Sequence, residues 1–95
     1  MTVELYYKVN DGAVFMKWKT KLFKCIGFDT KHQYVVMRRF FRIYRARAYS
    51  AEHHYYEFSD LASRLDAGLY YYCTYIRMPV KTIQIRYITR KIKHE

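Results

Sequence analysis

The chain has 95 residues, an apolar share of 52%, and eighteen Lys and Arg against eight Asp and Glu, for a formal net charge of +10. The apolar share excludes a disordered polyelectrolyte, and the length gives one domain, residues 1–95, with a core of modest size. The charge exceeds what solubility asks for and points to an anionic partner.

Residues 2–9 alternate, with Val3, Leu5, Tyr7 and Val9 on one face and Glu4, Tyr6 and Lys8 on the other, as in a half-buried strand. Asn10-Asp11-Gly12 follows, and Asp-Gly between alternating runs is a hairpin signal because Gly accepts the positive φ of a tight turn. Residues 13–26 form the second expected strand, with Val14, Met16, Trp18, Leu22 and Ile26 toward the core. Phe15, Lys17, Lys19, Lys21 and Phe23 share its other face. A merely solvated lysine row would not need two flanking rings, whereas single-stranded nucleic acid wants charge for phosphate and flat faces for bases.

A turn over 27–32 leads into 33–49, which carries Arg38, Arg39, Arg42, Arg45 and Arg47 among Tyr34, Phe40, Phe41, Tyr44 and Tyr49, with no acid between Thr30 and Ala51. β-branched and aromatic residues favour a strand here, and Arg47 falls inside the apolar side of the helical alternative. As one strand it places Tyr34, Val36, Arg38, Phe40, Arg42 and Tyr44 on a common face, so Arg38 and Arg42 point the same way; Arg45 joins them only in a helix.

Half of the acids, Glu52, Glu57, Asp60 and Asp66, then fall between Ser50 and Gly68. Ser59 as N-cap and Gly68 as stop predict a short helix over 60–67. Residues 69–78 are too aromatic and β-branched for anything but a strand; Tyr70, Tyr72, Thr74, Ile76 and Met78 oppose Tyr71, Cys73, Tyr75 and Arg77. Pro79 marks a turn, and 81–92 is the last strand, with Ile83, Ile85 and Tyr87 opposite Gln84, Arg86, Ile88 and Arg90.

The expected fold is therefore α+β: a small five-stranded antiparallel sheet, or an OB-like partly open barrel, with one short helix between the third and fourth strands. The element order resembles that of the OB-fold, which binds single strands across its second and third strands, where the Lys and Arg rows fall here.

No phosphate-binding glycine loop is present, and Cys25 and Cys73, the only cysteines, lack the spacing of a zinc site; no cofactor and no metal is expected. Two reduced thiols, no signal peptide and no apolar run of membrane-spanning length place the chain in a bacterial or host-cell cytoplasm. His53 and His54, with Glu57 one helical turn from His53, are the catalytic candidates, for a small ribonuclease as the third function expected. Twelve tyrosines exceed what a core this size needs, so some rings are expected at the surface.

The first function expected is non-enzymatic binding of RNA or single-stranded DNA. Lys17, Lys19, Lys21, Arg38 and Arg42 would meet phosphates, Arg45, Arg86 and Arg90 would extend the patch, and Phe15, Phe23, Tyr34 and Tyr44 would stack. The second is an inhibitor or adapter of the type viruses and phages encode, docking on a host protein or ribonucleoprotein; the acidic segment and the basic face also allow a homodimer.

Overall fold

The structure, a computed structural model, describes residues 18–49 and 57–92. Five strands, β1 (Lys19–Asp29), β2 (Tyr34–Arg39), β3 (Arg42–Ala48), β4 (Tyr70–Met78) and β5 (Thr82–Arg90), close into a barrel in the order β1-β2-β3-β5-β4, with β4 pairing back onto β1. Every pairing is antiparallel except β3 with β5, which is parallel. The single described helix, α1 (Glu57–Ala62), lies between β3 and β4 and packs on β3 and β2. This is an OB-like barrel, mixed in strand direction rather than purely antiparallel.

The five strands are not the five the residue pattern suggests. The expected strand over 2–9 and its Asn10-Asp11-Gly12 hairpin lie outside the described residues, as does the start of the next strand. β1 runs on to Asp29, through part of the segment expected to turn. The arginine-rich stretch is neither one strand nor a helix but a hairpin, β2 and β3 joined by Phe40-Phe41, with Arg39 opposite Arg42. Positive φ falls on the first loop residue only, Phe40 (φ 55°), the pattern of a type II′ turn, where Gly is the usual occupant. Holding a Phe there costs about 1–2 kcal/mol of backbone strain.

Period-two alternation sorts the walls. Phe23 and Cys25 of β1, Val35 and Met37 of β2, Tyr44 and Ala46 of β3, Tyr71, Cys73 and Tyr75 of β4, and Ile83 and Ile85 of β5 fill the interior. Large rings alternate with Ala and Cys, as a narrow barrel requires. Phe23 sits at the centre: its ring meets Tyr44 at 5.9 Å and Tyr75 at 5.1 Å, both edge-on.

Two irregularities shift the alternation. Cys25 pairs with Met37 and Gly27 with Val36, leaving Ile26 as a bulge that bends the long first strand. Thr74 pairs with Tyr87 and Tyr75 with Ile85, leaving Arg86 as the extra residue of β5. Ile88 therefore packs on the core and Tyr87 turns outward, the reverse of the unbroken alternation.

α1 contributes Leu61 to the core, with Leu65 just beyond it, and Phe58 and Ala62 pack beside them. It begins at Glu57 and ends at Ala62, so Ser59 lies inside it rather than capping it. The Ser63 hydroxyl donates to the Asp60 carbonyl (2.9 Å), and the next N–H groups reach back only three residues, Arg64 to Leu61 and Leu65 to Ala62, so the turn tightens and the helix stops. Gly68 does take positive φ (94°), but its work is to join β1: its N–H donates to the Cys25 carbonyl at 2.7 Å.

Candidate nucleic-acid interface

Strand register assembles the outer wall. Lys24 of β1 lies between Tyr70 of β4 and Arg38 of β2, and Arg38 faces Ile43 of β3. Leu22 pairs with Tyr72, and Thr20 with Thr74, their hydroxyls 2.8 Å apart. Further along, Val36 pairs with Arg45, and the Arg45 and Arg47 guanidiniums lie 5.6 and 4.3 Å from the centre of the Tyr34 ring.

At the hairpin end this wall hollows into a groove of about 300 Å³ lined by Leu22, Lys24, Arg38, Arg39, Phe40 and Tyr70. Two rings and three cations face one space. The Lys24 ammonium sits 5.6 Å from the Tyr70 ring centre, and the Arg39 guanidinium 4.8 Å from that of Phe40. Arg38 Nη1 donates to the Phe40 carbonyl at 3.3 Å, bracing the turn that carries the ring.

The described carboxylates do not neutralise it. Asp29 is held within its own turn, accepting from the His32 backbone N–H at 3.1 Å and lying 3.0 Å from His32 Nδ1. Those hydrogen bonds lower its pKa. Asp60 pairs with Arg64 at 3.6 Å along α1. Among the described residues no ion pair reaches Lys24, Arg38 or Arg39. Lys24 and Arg39 lie against ring faces, worth about 0.5–1 kcal/mol each when exposed, and Arg38 against the Phe40 carbonyl. A phosphate would offer stronger charge-assisted hydrogen bonds and leave the ring faces open to bases.

The expected site residues separate into those the fold gathers and those it does not. Arg38 lines the groove, and Arg45 and Tyr34 stand on the same wall. Phe23 and Tyr44, expected to stack on ligand, are instead core residues, 1% and 5% exposed. The interior claims them because the barrel needs large rings where Cys and Ala leave space, and because the hairpin resets the alternation before Tyr44. Arg42 is exposed at the hairpin but pairs with Arg39, so it does not share a face with Arg38.

Lys19 and Lys21 are exposed at the start of β1, in register with Tyr75 and Cys73 rather than with the face of Lys24. Arg86 is half-buried between the rings of Trp18 (5.6 Å) and Tyr87 (5.2 Å), and Arg90 is exposed near the end of β5. Phe15, Lys17, His53 and His54 lie outside the described residues, and of Glu57 only the backbone, opening α1, is described. Lys24, Arg39, Phe40 and Tyr70 were missed. The Arg-Arg-Phe-Phe-Arg run was the available signal, since two adjacent rings cannot both lie on one face of a strand.

Cys25 and Cys73 are free and buried. Burial pushes the Cys25 thiol up and the Cys73 thiol up to about 12, so neither supplies a thiolate at neutral pH. Among the described residues no cluster of three ligands could hold a metal ion, and no helix is long and apolar enough to cross a membrane. No protein-family model, no curated protein and no solved structure matches this chain.

Proposed function

We propose that this protein is a non-enzymatic module that binds single-stranded nucleic acid, RNA or DNA, on the outer wall formed by β4, β1, β2 and β3. One observation carries the reading. Lys24, Arg38 and Arg39 converge with Phe40 and Tyr70 on one groove, with no carboxylate ion-paired to them among the described residues. Cations take the backbone and rings take the bases, and such stacking tolerates any sequence because every base has a π face. The OB-like barrel supports the assignment as a scaffold and does not establish it. Arg45 and Arg47 beside Tyr34 continue the wall and would extend the track by further nucleotides.

Fluorescence anisotropy against single-stranded RNA, single-stranded DNA and duplex, each at low and moderate salt, tests this. Single strands should bind more tightly than duplex, and affinity should fall steeply with salt. The Lys24→Ala/Arg38→Ala variant should lose about tenfold or more in affinity and flatten the log–log salt slope by about 1.4, the share of two phosphate contacts on a single strand. Unchanged affinity at low salt, or equal binding to duplex, would remove the proposal. Binding that survives high salt and excess bulk RNA would instead indicate an apolar protein partner.

A further inference from the structure

We infer that the tip of the β2–β3 hairpin is a wedge that parts paired bases, so that the complete ligand is the junction between a single strand and a duplex. The inference rests on the single-strand reading of the adjoining groove.

Phe41 is 100% exposed, and no contact with it is made among the described residues. Phe40 beside it is 74% exposed, yet its ring belongs to the groove wall, faced by Arg39. One turn thus holds two rings with different surroundings, one lining the track and the next standing clear of it. The turn is a short, braced device rather than a loose loop. Its two residues are closed by the Arg39–Arg42 pair, and Arg38 bonds the Phe40 carbonyl. Phe40 keeps a backbone conformation that Gly would adopt without cost.

The placement supplies the direction. Adjacent Cα atoms are about 3.8 Å apart, so a strand leaving the groove past Phe40 meets Phe41 almost at once. If that strand continues as a duplex, its first base pair lies against a projecting apolar ring flanked by Arg39 and Arg42. An apolar side chain inserted at a base step, with cations on the neighbouring phosphates, unstacks that step. An anionic lipid surface would also accept a Phe tip among arginines. One projecting ring offers it little area, and the concave groove behind the tip suits a strand rather than a flat surface.

The test uses the full chain and an RNA hairpin with a single-stranded tail, carrying 2-aminopurine in the first base pair. The tailed duplex should bind at least as tightly as the tail alone, since stacking one base on the ring offsets the unstacking of the junction step. The 2-aminopurine emission should rise on saturation. Phe41→Ala empties no core position, so it should keep the melting temperature and hold tail affinity within about twofold, the loss being confined to the stacking step. It should also abolish the emission rise, and Phe41→Trp should restore it. No rise with the wild-type chain, or a rise that survives Phe41→Ala, would overturn the wedge. Tail binding without a junction response removes the wedge alone, whereas absent tail binding removes both proposals. Phe41-dependent flotation with phosphatidylserine vesicles, without a junction response, would reassign the tip to a lipid surface and also overturn the wedge.

Discussion

The inner and outer walls of this barrel use the same side chains for opposite ends. Phe23 is 1% exposed and Phe41 is 100% exposed, though both lie in strongly basic segments rich in rings. Inside, rings meet ring edges, Phe23 against Tyr44 and Tyr75, and Arg77 reaches Tyr44 with its guanidinium 5.3 Å from the ring centre. Outside, Tyr34, Phe40, Tyr70 and Tyr87 are each faced by a cation from a neighbouring position. Aromatic content therefore measures neither core nor interface; burial decides together with the partner, since Tyr44 is faced by Arg77 and is still buried. A ring against rings is fixed by packing, while an exposed ring under a cation can exchange that cation for a base when the cation finds a phosphate.

The contrast can be broken most severely from the inside. Phe23→Ala should cost about 3–5 kcal/mol, the usual penalty for emptying a well-packed ring position, read from urea unfolding. A loss under about 1 kcal/mol would mean that the interior rings are not what holds the barrel.

A second, smaller effect comes from pH. Below pH 9 the Cys73 thiol is protonated in both folded and unfolded chains and adds no pH dependence. Between pH 9 and about 12 the unfolded thiol ionises while the buried one keeps its proton. The native state then binds more protons, so stability falls as pH rises through this window, and the raised Cys25 acts with the same sign. Urea midpoints at about pH 8 and about pH 10.5 should differ more for the wild type than for Cys73→Ala, and equal differences would discard the thiol contribution.

The smallest change sharpens the comparison from the outside. Phe40→Gly should raise stability by up to about 1 kcal/mol by relieving positive φ, and should weaken single-strand binding severalfold by removing a groove wall. A variant that gains stability and loses no affinity would show that the strained ring is not part of the interface.

Much of the barrel was legible from composition and alternation; the inverted face of Phe23 has no such local cause, but the other strand failures trace to one turn and two bulges. The split of β4 into Tyr70, Tyr72 and Thr74 against Tyr71, Cys73 and Tyr75 is as its pattern indicates. The Phe40-Phe41 turn carries no Gly, Asn, Asp or Pro, so nothing announced a hairpin, and the face assignments on β3 slipped by one residue. That slip moved Tyr44 from interface to core and separated Arg42 from Arg38. The bulge at Arg86 did the same to Tyr87, and the bulge at Ile26 let β1 continue where a turn was expected. The groove was legible only in part, because Tyr70 reaches Lys24 and Arg38 through strand order, which short-range pattern does not encode.

β5 is bonded to β3 on one side and β4 on the other, and its parallel pairing with β3 begins with Arg45 opposite Thr82. Until that late segment of the polypeptide docks, β3 and β4 each present a row of vacant amide and carbonyl groups, a template for another molecule to add to. Ring closure of the sheet thus waits on a contact between residues far apart along the chain. A version cut before Thr82 should aggregate through those two bare edges rather than persist as a smaller, looser barrel.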